Sequence, residues 1–89
     1  MRQFTMLTEI IVDPGLWATS MLPEGCIEKW LVADGSSVEA GEPVACVRIE
    51  SMLHDLMAPS RGRLQIDCKV NSVIEPGTVV GHVVRQTSA

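Results

Sequence analysis

Apolar and polar residues alternate along much of this chain. In Gly62–Val70, Leu64, Ile66, Cys68 and Val70 fall on one face, and Arg63, Gln65, Asp67 and Lys69 fall on the other. A period of two is the mark of a half-buried strand. In Cys26–Val32, Ile27 and Leu31 share one face with Lys29 between them, while Trp30 and Val32 share the other with Glu28. Val44–Ile49 and Val79–Val84 are more uniformly apolar. Turn formers divide these runs. Pro14-Gly15, Pro23-Glu24-Gly25, Asp34-Gly35, Ala40-Gly41, Ala58-Pro59, Gly62, Asn71 and Pro76-Gly77 leave pieces of about five to eight residues. No piece reaches the length of an amphipathic helix. The pattern predicts an all-β chain of about six to eight short strands.

The pattern also repeats, at an offset of 36 residues. Gly35 falls on Asn71, Val38 on Ile74, Glu39 on Glu75, Gly41 on Gly77 and Val44 on Val80. Further out, Pro23 falls on Pro59 and Val47 on Val83, and the spacing is expected to hold without a slip. One half of a few strands cannot bury its own faces, so the two halves must pack together. The expected fold is a flattened β-sandwich, or closed barrel, of two antiparallel sheets related by a pseudo-two-fold axis. Gly35, Gly41, Gly62, Asn71 and Gly77 are assigned to structural turns. Gly41 and Gly77 in particular are expected at positive φ.

Length and charge narrow the picture. Eighty-nine residues form one expected domain, 1–89, with its core over about 7–84 and loose ends at 1–5 and 85–89. A hydrophobic content of 46% argues against disorder. Apolar runs are too short to cross a bilayer as a helix, and Glu9 and Asp13 interrupt the first apolar stretch, so no secretory leader is expected. Eleven acidic residues against seven basic ones give a net charge of −4. That balance disfavours nucleic acid and anionic membrane as partners, and favours a protein with a basic docking surface. Cys26, Cys46 and Cys68 form no Cys-x-x-Cys pair, so they are expected as small reduced core residues with no metal role, in a cytoplasmic protein. The isolated chain is expected to be a monomer.

The order of motifs carries a resemblance. Glu24-Gly25, Trp30-Leu31-Val32, Asp34-Gly35, Val38-x-Ala40-Gly41-x-x-Val44 and Ala58-Pro59 follow one another as in the lipoyl and biotinyl attachment domains. The stretch Leu22–Ala45 is most similar to the first half of a lipoyl domain of the 2-oxoacid and acetoin dehydrogenase complexes. The resemblance covers about residues 7–84. It implies a swinging-arm carrier: a lysine at a hairpin tip, joined by an amide to lipoate or biotin. In the family that lysine lies ten residues after the glycine matching Gly41 and seven before the alanine matching Ala58. Both counts arrive at Ser51, flanked by Glu50 and Met52. The only lysines are Lys29 and Lys69, and neither is in this segment. A ligase that forms an amide needs an amine, so no covalently bound cofactor is expected here. The resemblance therefore implies a non-catalytic module that docks on a dehydrogenase-, carboxylase- or ligase-type protein. The alternative is a working lipoyl or biotin carrier with an altered or unusual attachment.

Other residues have plainer readings. Ser51, His54 and Asp55 invite a catalytic triad, but alternation puts His54 on the side opposite the other two, and no enzyme is expected. His82 is expected partly buried in a strand, and Trp30 buried or half-buried. Trp17 could pack on the core or join a partner surface. Leu53 and one of Leu56 or Met57 are expected to face the core.

Overall fold

The structure, a computed structural model, describes residues 3–18 and 20–88. It contains eight strands: β1 Gln3–Ile11, β2 Gly25–Trp30, β3 Ser37–Val38, β4 Pro43–Ile49, β5 Met52–Met57, β6 Gly62–Ile66, β7 Val73–Ile74 and β8 Val79–Ser88. One short 3₁₀ turn, Pro14–Trp17, is capped by Asp13, whose carboxylate accepts from the Gly15 N–H at 2.9 Å. The strands form two four-stranded antiparallel sheets, ordered β1-β8-β6-β3 and β5-β4-β2-β7. Their facing surfaces bury Ile27, Val44, Val47, Val80 and Val83 completely. At about 25 cal/mol per Å² of apolar area, this shared face is what holds the sheets together.

The repeat is a real pseudo-two-fold axis, and it extends to the hydrogen bonds. Leu31 N–H donates to Val44 O at 2.8 Å, and Asp67 N–H donates to Val80 O at 3.0 Å. Gly41 N–H donates to Ala58 O at 2.9 Å, and Gly77 N–H donates to Val12 O at 2.9 Å. Gly41 and Gly77 have φ of +83° and +86°, and Gly35 and Asn71 have +86° and +70°. These left-handed positions suit glycine, with asparagine the best-tolerated substitute.

The spacing does slip once, contrary to the expectation from the sequence. Ile27 lies opposite Val47, but Lys29 lies opposite Cys46, so Glu28 is an extra residue in a β-bulge. Up to the bulge the offset is 37: Ile74 pairs with Gly25 where Val38 pairs with Gly62. Beyond it the offset returns to 36, with Trp30 opposite Ala45 and Ile66 opposite Gly81. The bulge also reverses the expected facing of β2. Ile27 and Trp30 both turn to the core, and Leu31 is exposed rather than sharing a face with Ile27. In the other half, strand β6 ends at Ile66, and Val70 is exposed instead of extending the buried row.

Strand β1 completes the symmetry from the far end of the chain. It pairs with β8 as β5 pairs with β4. Met6 opposite Arg85 corresponds to Met52 opposite Ile49, and Leu7 opposite Val84 corresponds to Leu53 opposite Arg48. The matching segments read Met6-Leu7-Thr8-Glu9-Ile10-Ile11-Val12 and Met52-Leu53-His54-Asp55-Leu56-Met57-Ala58. Residues 3–5 and 85–88, expected as loose ends, are paired in this ladder, because each strand supplies backbone partners to the other. Residues 1, 2 and 89 lie outside the described residues.

Candidate functional site at the hairpin tip

Strands β4 and β5 are joined by a two-residue turn, Glu50-Ser51, closed by the pair Ile49 and Met52. Glu50 has φ +57°, a left-handed conformation that few non-glycine residues adopt. Ser51 is exposed at the tip. The hairpin stands on β4, the most continuously buried strand, so the turn is held by a rigid base.

A loop reaches the tip from the side. Trp17 is buried in the core and anchors the chain before it, which decides between its two readings in favour of packing. Its indole N–H has no hydrogen-bond partner among the described residues. Beyond it, Ser20 Oγ donates to Leu22 O at 3.0 Å, and Met21 N–H donates to Glu50 Oε1 at 3.2 Å. The loop is thus tied to the turn at Glu50, and it carries Met21, 91% exposed, and exposed Leu22; Met52 and Leu53 on β5 are exposed as well. A groove of about 270 Å³ follows, lined by Glu24, Gly25, Cys26, Arg48, Glu50 and Val73. Arg48 Nε donates to Glu28 Oε1 at 2.9 Å, so that cation is already paired. Glu24 and Glu50 leave the rim acidic. The hairpin end therefore presents exposed apolar side chains together with an acidic groove rim.

Several residues sit elsewhere than the sequence suggested. Of Leu53, Leu56 and Met57, only Leu56 is buried; Leu53 lies opposite Arg48 on the outer face and is 55% exposed. His54 lies opposite Val47, whereas Asp55 lies opposite Cys46 on the other face, so no Ser51–His54–Asp55 relay can form. Lys29 is exposed on β2 opposite Cys46, four residues along β4 from Glu50, or about 13 Å at strand rise. Lys69 precedes β7 in a turn where Ser72 N–H donates to its carbonyl. No lysine lies on the hairpin itself.

The remaining candidates are structural. Trp30 is half-buried, and its Nε1–H donates to Cys68 O at 2.9 Å. His82 Nδ1 lies 2.6 Å from Asp67 Oδ2. The Gln65 amide, donating at 3.0 Å, holds the Asp67 carboxyl below its usual range; burial opposes this, and His82 adds to it. Cys46 is buried, Cys26 and Cys68 are half-buried, and all three are free thiols. No metal-binding cluster occurs among the described residues. Met21 escaped sequence reasoning, and Leu22 entered it only as the start of the lipoyl-like stretch, because no periodicity marks a loop. The kinship of β1 with β5 left a signal, the shared Met-Leu-x-acid-aliphatic order, at a spacing different from the main repeat.

Comparison with known proteins places this geometry. A family model described as biotin-requiring enzyme matches residues 18–83. The chain is 31% identical over 71 residues, 80% of its length, to a protein named acetyl-CoA carboxylase from Dictyostelium discoideum. It spans only 3% of the length of that relative. With two symmetric four-stranded sheets, a hairpin projecting at one end and a family match across most of its length, the chain belongs to the biotin/lipoyl attachment domain family, whose members are carrier-type β-sandwich domains.

Proposed function

We propose that this domain carries no cofactor and acts as a protein-interaction module for a carboxylase-type enzyme, with Ser51 in the place of the attachment lysine. The observation that carries this reading is the turn itself. Glu50-Ser51 supplies a carboxylate and a hydroxyl where the family's amide link requires an amine. The tip residues therefore do not fit lipoate or biotin, and no group transfer is assigned to them. Lys29, the nearer lysine along the strands, is set in a sheet face rather than at a turn, a poor substrate for a ligase that works on a projecting hairpin. What remains at this end is a surface for contact: exposed Met21, Leu22, Met52 and Leu53, and the acidic groove. A carboxylase-type partner is favoured over a dehydrogenase-type one because the relative named above is a carboxylase. Its cytoplasmic setting is proposed on the three free thiols.

A second reading, a working biotin or lipoyl carrier, draws support from the family match. Intact mass of the protein from its native source separates the two. An unmodified mass is expected. An addition the size of biotin or lipoate would overturn the first reading and establish the second.

A further inference from the structure

The pseudo-two-fold axis gives the acidic groove a counterpart at the opposite end. A groove of about 480 Å³ is lined by Ser37, Glu39, Arg61, Gly62, Arg63, Val84, Arg85 and Gln86, with Val38 at its base. Its walls are the symmetry equivalents of the tip groove. Gly62 matches Gly25 and Arg63 matches Cys26 through their pairing with β3 and β7, and Val84 matches Arg48 through β8 and β4. The backbone is repeated, but this groove is the larger, about 480 Å³ against about 270 Å³, and its charge is inverted. Three exposed arginines, Arg61, Arg63 and Arg85, stand against one glutamate, Glu39. At the tip, Glu24 and Glu50 stand against Arg48, which Glu28 already pairs.

None of the three arginines has a carboxylate within ion-pair distance among the described residues. Arg63 spends one N–H on Gly35 O at 3.1 Å, and its other donors meet no partner among the described residues. In a chain of net charge −4, collecting three of seven basic residues at one end makes a strong local field. Both ends are also apolar beside their grooves: Met6 and Leu7 are exposed at the basic end, as their equivalents Met52 and Leu53 are at the acidic end.

We propose that the arginine groove is a docking site for the acidic hairpin end of a second copy of this chain. The two surfaces carry opposite charge and have exposed apolar residues beside them on both sides. Charge complementarity supplies attraction and register, and the paired Met-Leu surfaces supply apolar burial. The contact is heterologous, one end against the other, so a pair keeps one free acidic end on one copy and one free basic end on the other unless a ring closes. This departs from the monomer expected from the sequence, where the arginines are scattered and only the fold gathers them. It stands whether or not Ser51 carries a cofactor.

Sedimentation velocity on the full chain tests it, at millimolar protein and at two ionic strengths. At about 0.01 M, where charges act across roughly 30 Å, species heavier than the monomer are expected; at about 1 M, where the range is roughly 3 Å, they should dissociate. Arg61→Glu with Arg85→Glu makes both ends acidic, and Glu24→Arg with Glu50→Arg makes both ends basic. Each double variant should stay monomeric alone, the arginine pair with wild-type thermal stability and the glutamate pair still folded despite losing the Met21 N–H acceptor, and an equimolar mixture should associate again. A wild-type chain that stays monomeric at low ionic strength, or a mixture that does not associate, overturns the proposal. So would a monomeric wild type whose arginine groove binds inorganic phosphate, because the occupant would then be a free anion.

Discussion

Gly25 and Gly62 are equivalent residues, and each lies under a backbone carbonyl of the neighbouring strand. A Cβ on Gly25 would sit 2.7 Å from Arg48 O, and one on Gly62 would sit 2.5 Å from Val84 O. Both would also press on a side chain, Ile49 in one case and Val83 in the other. Backbone oxygens cannot move aside without breaking the ladder. Gly25→Ala and Gly62→Ala should therefore each destabilise the domain by about 1–3 kcal/mol, the usual cost of overpacking. Thermal denaturation of both variants checks this, and a loss at one site without the other would contradict the equivalence.

Gly41 and Gly77 test a different property. At each, an added Cβ meets nothing within 4 Å, so any cost is conformational. Their φ of +83° and +86° should make Gly41→Val and Gly77→Val each lose more than about 1 kcal/mol. Gly35→Asn should cost less than either, because Asn71 already holds the equivalent position at φ +70°. Chemical denaturation of the three variants gives the comparison.

Leu53 and Leu56 lie on one strand but on different faces. Leu56→Ala should lose about 2–5 kcal/mol, the range for a buried leucine. Leu53→Ala should change stability by no more than about 0.5 kcal/mol, as surface substitutions do. If the tip is a docking surface, Leu53→Ala weakens partner capture while its melting curve stays at the wild-type position.

Ser51→Lys should fold with unchanged stability, because the turn is exposed and Glu50 keeps the left-handed position. With the amine restored, co-expression with a biotin or lipoyl ligase should add one cofactor mass, placed on residue 51 by fragmentation. An unmodified variant with either ligase would mean that the tip fails recognition for a reason beyond the missing amine.

Asp67 gives the pH dependence. Its carboxyl is held below the ordinary value by the Gln65 amide first, and then by His82. A depressed carboxylate contributes stability that is fully present above its unfolded pKa of about 3.9 and is lost as pH falls through the lower folded value. Asp67→Asn should thus be less stable than wild type by under about 1 kcal/mol at neutral pH, since the pair is partly exposed. The gap should close below about pH 4 in parallel acid titrations of stability.

Much of this was legible in the sequence, and what escaped has physical causes. Gly35, Gly41, Asn71 and Gly77 mark turns because their backbone conformations select their residue types. The apolar run Val44–Ile49 announced the deepest strand. The bulge at Glu28 did not show, because an extra residue changes register without changing composition. Leu53 was misread because a leucine in a strand reads as buried, whereas its neighbour across the sheet, Arg48, faces solvent. The arginine groove was invisible for a related reason. Arg61, Arg63 and Arg85 come together only when β8 is laid beside β6.

The ladder between β1 and β8 has a mechanical consequence. Gln3 faces Ser88, so both ends of the chain leave the fold side by side from one pair of strands. Tension applied through those ends pulls across the ladder rather than along it. It loads the hydrogen bonds one pair at a time, from Gln3 and Ser88 inward, as a zipper opens. Sheet β1-β8-β6-β3 would open first under such a load, while the hairpin of β4 and β5, at the other end and outside the line of force, would keep its shape longest.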